Sequence, residues 1–228
     1  MIKNLLPMLV AAGLATPALA DEPEKIDFDI DANKVVPTED FMVMVSVLGS
    51  AIASGNNDVP VTVQLKIGDK EVNPWGDYGD KEDGDVNDPY APTRNHIVNE
   101  LFEVDADSDP ADTEVTVNAR SWWGSGIHIE ADTSTDTNQV KVLRDGDPVP
   151  DIKGLNDQAD VLYFIEPYID LESNRISLDA NQAIYLFELG TTSMNSSSAD
   201  FQDLVVLVTF GKSKRDFFQY TAREALYD

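Results

Sequence analysis

The stretch Val61-Thr62-Val63-Gln64-Leu65-Lys66-Ile67-Gly68-Asp69-Lys70-Glu71-Val72 decides the fold. Its apolar residues fall at every second position, which puts Val61, Val63, Leu65 and Ile67 on one face of a strand and Thr62, Gln64 and Lys66 on the other. Gly68-Asp69 is a hairpin-type turn signal, and Lys70-Glu71-Val72 begins the return. The same period recurs on both sides of this hairpin. Ile26, Phe28 and Ile30 alternate with Asp27, Asp29 and Asp31. Phe41, Val43, Val45 and Val47 form another row, with Met42, Met44 and Leu48 on its opposite face, so that strand is expected to be covered on both sides. Further strands are expected at 97–104, 114–119, 127–131 and 139–143. Short strands separated by Gly-, Pro-, Asn- and Asp-rich turns predict a mostly β protein, an antiparallel β-sandwich of Ig-like or jelly-roll-like form.

The pattern changes after Arg144-Asp145-Gly146-Asp147-Pro148-Val149-Pro150, a proline- and turn-rich junction. Val161, Leu162, Phe164, Ile165, Tyr168 and Ile169 then fall on one helical stripe, with Asn156 or Asp157 placed to cap its start. Pro167 cannot donate a backbone hydrogen bond, so this one short helix of the C-terminal third is expected to end near Glu166. Strands follow at 183–189 and 204–210, the latter apolar enough to be central or covered on both faces. The segments around them, Tyr185-Leu186-Phe187-Glu188-Leu189-Gly190 and Asp200-Phe201-Gln202-Asp203-Leu204, are regular without matching any motif. The expected division is a signal peptide at 1–20, a sandwich domain at 21–148, and a smaller α+β segment at 149–228. That last segment either stands alone or completes the same sandwich.

The expected signal peptide rests on Lys3, the apolar run through Leu5, Leu6, Met8, Leu9, Val10 and Ala11, and the small-x-small site Ala18-Leu19-Ala20. A secreted product, in the periplasm, outside the cell or at its surface, follows as an expectation. No later apolar run approaches the roughly 20 residues of a membrane-spanning helix. The 228 residues carry 16 Lys and Arg against 42 Asp and Glu, a formal charge of −26; loss of Lys3 with the leader makes it −27. Such a surface repels phosphate backbones, which argues against nucleic acid and anionic membranes as partners. With no Cys there are no disulfides, thiolate metal sites or cysteine nucleophiles.

Two loops hold the acid at highest density. One carries Asp77, Asp80, Glu82, Asp83, Asp85 and Asp88; the other carries Asp105, Asp107, Asp109, Asp112 and Glu114. Calcium takes six to eight oxygen ligands and suits flexible Asp-rich loops, so Asp77, Asp80, Asp83, Asp85, Asp88, Asp105, Asp107, Asp109 and Asp112 are its candidate ligands. The EF-hand spacing is broken, however. With Gly84 as the turn glycine, Gly79 and Lys81 occupy positions that need oxygen ligands, and Pro110 takes the glycine place in the second loop. The competing reading is a solvated acidic surface.

Trp75 and Tyr78, in the Gly-rich loop Pro74–Gly79, are candidate sugar-stacking residues for a glycan-binding module. Trp122 and Trp123 would point to opposite faces of a strand, so at most one of them is expected to be exposed. His96 and His128 are the only imidazoles. No nucleophile elbow, zinc-protease motif, phosphate loop or dinucleotide fingerprint is present, and a hydrolase would have to use one of many carboxylate pairs.

The leading expectation is a non-enzymatic structural or adhesive protein that self-assembles at or outside the cell surface. The N-terminal row Ile26, Phe28 and Ile30 could pair with a neighbour's sheet edge. The basic, aromatic C-terminus, with Lys212, Lys214, Arg215 and Arg223, could meet the acidic body of another copy.

Overall fold

The computed structural model describes residues 26–31, 33–87, 93–105, 107, 109–135, 138–151, 161–196 and 198–224. The expected signal peptide, Asp88 and the cap at Asn156 or Asp157 lie outside them. The chain runs through β1 (Phe28–Asp31), β2 (Lys34–Pro37), β3 (Phe41–Gly49), β4 (Ala53–Ser54), β5 (Asn57–Asp58), β6 (Val61–Ile67), β7 (Lys70–Val72) and β8 (Arg94–Phe102). It continues with β9 (Val115–Trp123), β10 (Gly126–Asp132), β11 (Val140–Leu143), α1 (Val161–Ile165), β12 (Ile169–Asp170) and β13 (Arg175–Ile176). The last elements are β14 (Gln182–Phe187), β15 (Leu204–Gly211) and α2 (Lys214–Glu224).

Two antiparallel sheets face each other. The first runs β1-β2-β9-β6-β7, with β10 paired to the distal half of β9. The second runs β11-β14-β15-β3-β8, so strands from both ends of the sequence share it. Period-two patterning builds the layer between them. Val61, Val63, Leu65 and Ile67 of β6 and Val115, Val117 and Ala119 of β9 meet Val43, Val45, Tyr185, Phe187, Val206, Val208 and Phe210 of the second sheet. A fully buried side chain of this size stabilises by about 1.5–3 kcal/mol.

The second sheet is covered on its other face too, which explains why its strands read as unbroken apolar runs. Ile184, Leu186, Val205 and Leu207 pack under Val161, Phe164 and Ile165 of α1. Met42 and Met44 pack under Phe217 and Tyr220 of α2. Helix α2 starts where the Asp216 carboxylate accepts from the Lys212 and Ser213 amides at 3.0 and 2.8 Å. Helix α1 ends at Ile165 because Pro167 enters a 3-10 turn at 166–168. The α1 layer lies so close that a Cβ on Gly49 would sit 2.0 Å from the Phe164 ring.

A candidate binding platform at the end of the sandwich

In β9, the inward residues Val115, Val117, Ala119 and Ser121 continue to Trp123, which by then has run past the edge of the core. The two tryptophans separate as adjacent strand residues must. Trp122 is buried, its indole Nε1 donating to Thr62 Oγ1 at 3.1 Å, whereas Trp123 is 54% exposed. The hairpin to β10 turns at Gly124, whose φ of 59° is a left-handed conformation that glycine adopts without strain.

Pairing across this hairpin goes from Ile127–Trp122 directly to Ile129–Ser121, leaving His128 as an extra residue in a bulge. The bulge turns the imidazole onto Trp123, with ring centroids 3.7 Å apart and planes 5° from parallel. His128 Nε2 lies 3.3 Å from the Gly190 carbonyl oxygen, and Ser121 Oγ donates to the Leu189 carbonyl at 2.7 Å. The indole thus lies against an imidazole that itself contacts the Gly190 carbonyl. Ile127, 46% exposed, follows the same hairpin turn.

Beneath Gly190 lies a group of buried carboxyls. Glu188, with no solvent exposure, accepts from Gly190 and Thr191 amides at Oε1 (3.1 and 3.0 Å) and from Asp200 and Phe201 amides at Oε2 (2.9 and 3.2 Å). Asp203 Oδ2 accepts from the Leu189 and Gly190 amides at 2.6 and 2.7 Å. Both carboxyls therefore converge on one amide, that of Gly190. Burial, and then the charge of Glu188 beside it, push the Asp203 carboxyl well above the usual carboxylate range. The same network holds buried Phe201 at φ 55°, a conformation that costs a bulky residue about 1–3 kcal/mol.

The residues singled out from sequence are spread over other surfaces. The acidic loop folds over the outer face of the first sheet, anchored by Tyr78. That side chain is buried, its ring lies 3.9 Å under the Arg120 guanidinium, and its hydroxyl donates to Glu130 at 3.2 Å. Burial pushes the Tyr78 phenol up. Trp75 is half-buried against the main core. Asp77 accepts from the Gly79 amide, Asp80 from the Glu82 amide, Asp83 from the Asp77 amide, and Asp85 from the Val61 and Asn87 amides, all at 2.8–2.9 Å. Asp109 caps the 3-10 turn Pro110–Asp112 through the Ala111 amide at 3.0 Å, while Asp105, Asp107 and Asp112 are exposed. Among the described residues, no group of three or more His, Asp or Glu side chains is placed to hold a metal ion.

Of the N-terminal row, Ile26 is fully buried, Phe28 lies 5.3 Å from Phe210, and Ile30 packs on the same core. Strand β1 pairs with β2, and this hairpin joins the rest of its sheet through the single pair Val35–Val115.

The Trp123–His128 stack and the Glu188–Asp203 pair were not assigned from sequence. A bulge leaves no local pattern. The signal for the second was a carboxylate immediately after a strand apolar on both faces, as in Tyr185-Leu186-Phe187-Glu188, where the chain has no solvent to offer it. The chain matches no protein-family model, no curated protein and no solved structure.

Proposed function

We propose that this chain is a non-enzymatic adhesive module that binds carbohydrate by stacking a pyranose face on Trp123. One observation carries the reading: an indole more than half exposed is held flat against His128 at 3.7 Å, so little of its freedom is left to lose on binding. A sugar ring offers a face of C–H groups that packs on an indole, with hydroxyls around its rim. The loop beside Gly190 supplies partners for that rim, since Thr191, Ser193, Asn195, Ser196 and Ser198 follow it directly. Relative to the expectation from sequence, the stacking residue moves from Trp75 and Tyr78 to Trp123, because Arg120 already covers the Tyr78 ring. The test is retention on insoluble polysaccharides, with Trp123→Ala against Leu171→Ala, a control at an exposed residue of the β12–β13 turn.

Self-assembly is the second reading, favoured by the edge position of the β1–β2 hairpin and its single backbone pair to β9. Exchange of this hairpin between copies would keep Ile26, Phe28 and Ile30 buried in a partner's core. Light scattering decides it: oligomers that revert to monomer on deleting residues 21–32 support exchange, and monomer at every concentration removes it. Calcium enters as a proposed stabiliser of the acidic loops, and a melting temperature equal in calcium and in chelator removes it. Secretion remains part of the proposal, resting on the leader sequence alone.

A further inference from the structure

We propose that Glu188 and Asp203 share one proton and form a pH-sensitive latch that ties the 189–191 backbone to the 200–201 backbone, closed while the pair holds the proton and loosened when both carboxyls ionise. The geometry assigns the two partners different parts. Glu188 takes four backbone amides from both ends of the loop, and its charge beside Asp203 raises the Asp203 carboxyl. Asp203 takes two amides on one oxygen and faces Glu188, so its proton bridges the two carboxyls.

A second charge in this volume has little to neutralise it. From its own loop the pair faces Asp200, a third buried carboxyl that adds to the repulsion. From β10 it faces His128, which contacts the Gly190 carbonyl. From β11 comes Lys141, whose ammonium lies 3.8 Å over the Phe201 ring and not on either carboxyl. The neighbours at β9, at the end of β3 and before β11 are neutral: Ser121 on the Leu189 carbonyl, Ser50 on the Asp203 carbonyl at 2.5 Å, and Gln139 on the Glu188 carbonyl at 3.1 Å. The loop also has somewhere to go when the latch loosens. Phe201 is held at a left-handed φ of 55°, and release of its amide from Glu188 lets it relax.

The sign follows from the raised Asp203. A carboxyl that binds its proton more tightly in the folded state stabilises most at low pH, and the contribution is lost as pH rises through its folded-state pKa. One proton per opening means that the opening equilibrium grows up to tenfold per pH unit across this window and then levels off.

The latch acts on stability and loop opening, so its test does not depend on any ligand. Amide exchange of Gly190, Thr191, Asp200 and Phe201 is followed from pH 4 to 9 in the whole protein and corrected for intrinsic base catalysis. The wild type is expected to show that tenfold-per-unit rise. Asp203→Asn, which keeps an acceptor for Leu189 and Gly190 and a donor toward Glu188, is expected to be flat. Glu188→Gln removes the neighbouring charge and moves the rise to lower pH. A wild-type profile with no pH dependence overturns the latch, and so does an Asp203→Asn profile that matches the wild type. If Asp203→Asn does not fold, the wild-type profile and that of Glu188→Gln decide alone: an unmoved rise in Glu188→Gln overturns the shared proton.

Discussion

Tyr185 carries its hydroxyl into the layer between the sheets, fully buried and, among the described residues, with no hydrogen-bond partner. Removing water from an unpartnered hydroxyl is unfavourable, while the ring itself fills core volume. Tyr185→Phe keeps the ring and is predicted to raise stability by about 1 kcal/mol, read as a higher thermal or urea midpoint. Gly49 makes the opposite case. The Phe164 ring occupies the place a Cβ would need, so Gly49→Ala is predicted to cost about 1–3 kcal/mol in the same assay. Combining it with Phe164→Ala should cost less than the sum of the two, since both act on one contact. At this scale Trp122 and Trp123 differ in kind: strand parity alone required that one face in and one out, and burial of the Thr62-bonded ring decided which.

The elements that sequence made legible are those with a strict period. The run Val61–Ile67 with its Gly68-Asp69 turn became β6 and β7, and Met42 and Met44 opposite Val43 and Val45 marked a strand with two covered faces. Strand β2 was missed because Val35-Val36 is too short to show a period, and β12 and β13 because two residues show none. The platform was harder still. Its shape depends on a bulge at His128 and on carbonyls of residues 189–190, in the loop that follows β14 of the other sheet. Helix α2 illustrates a cover that holds a sheet face dry. Phe217, fully buried against Met42 and Met44, is its anchor, and Phe217→Ala is predicted to cost about 3–5 kcal/mol. Amide exchange would then show β3 and β8 losing protection before β9, because α2 covers the former pair's sheet.

At the scale of the whole molecule, the −26 charge is a standing repulsion among surface carboxylates. The acidic loop offsets part of it by turning Asp77, Asp80, Asp83 and Asp85 onto backbone amides. Salt should offset more, since the screening length falls from about 30 Å at 0.01 M to 3 Å at 1 M. The melting temperature is therefore predicted to rise with sodium chloride over that range, and a falling one would mean that ion pairs such as Lys34–Glu114 and Arg120–Glu130 outweigh the repulsion. The same acidity disfavours an anionic ligand at the Trp123 face, and the proposal that an uncharged sugar stacks there is the central one to test. The direct test is retention of the protein on a panel of insoluble polysaccharides, with circular dichroism to confirm the fold of each variant. Wild type and Leu171→Ala are predicted to be retained by at least one polysaccharide, and Trp123→Ala to lose tenfold or more of that affinity. Equal retention of Trp123→Ala, or no retention of the wild type by any of them, would contradict it.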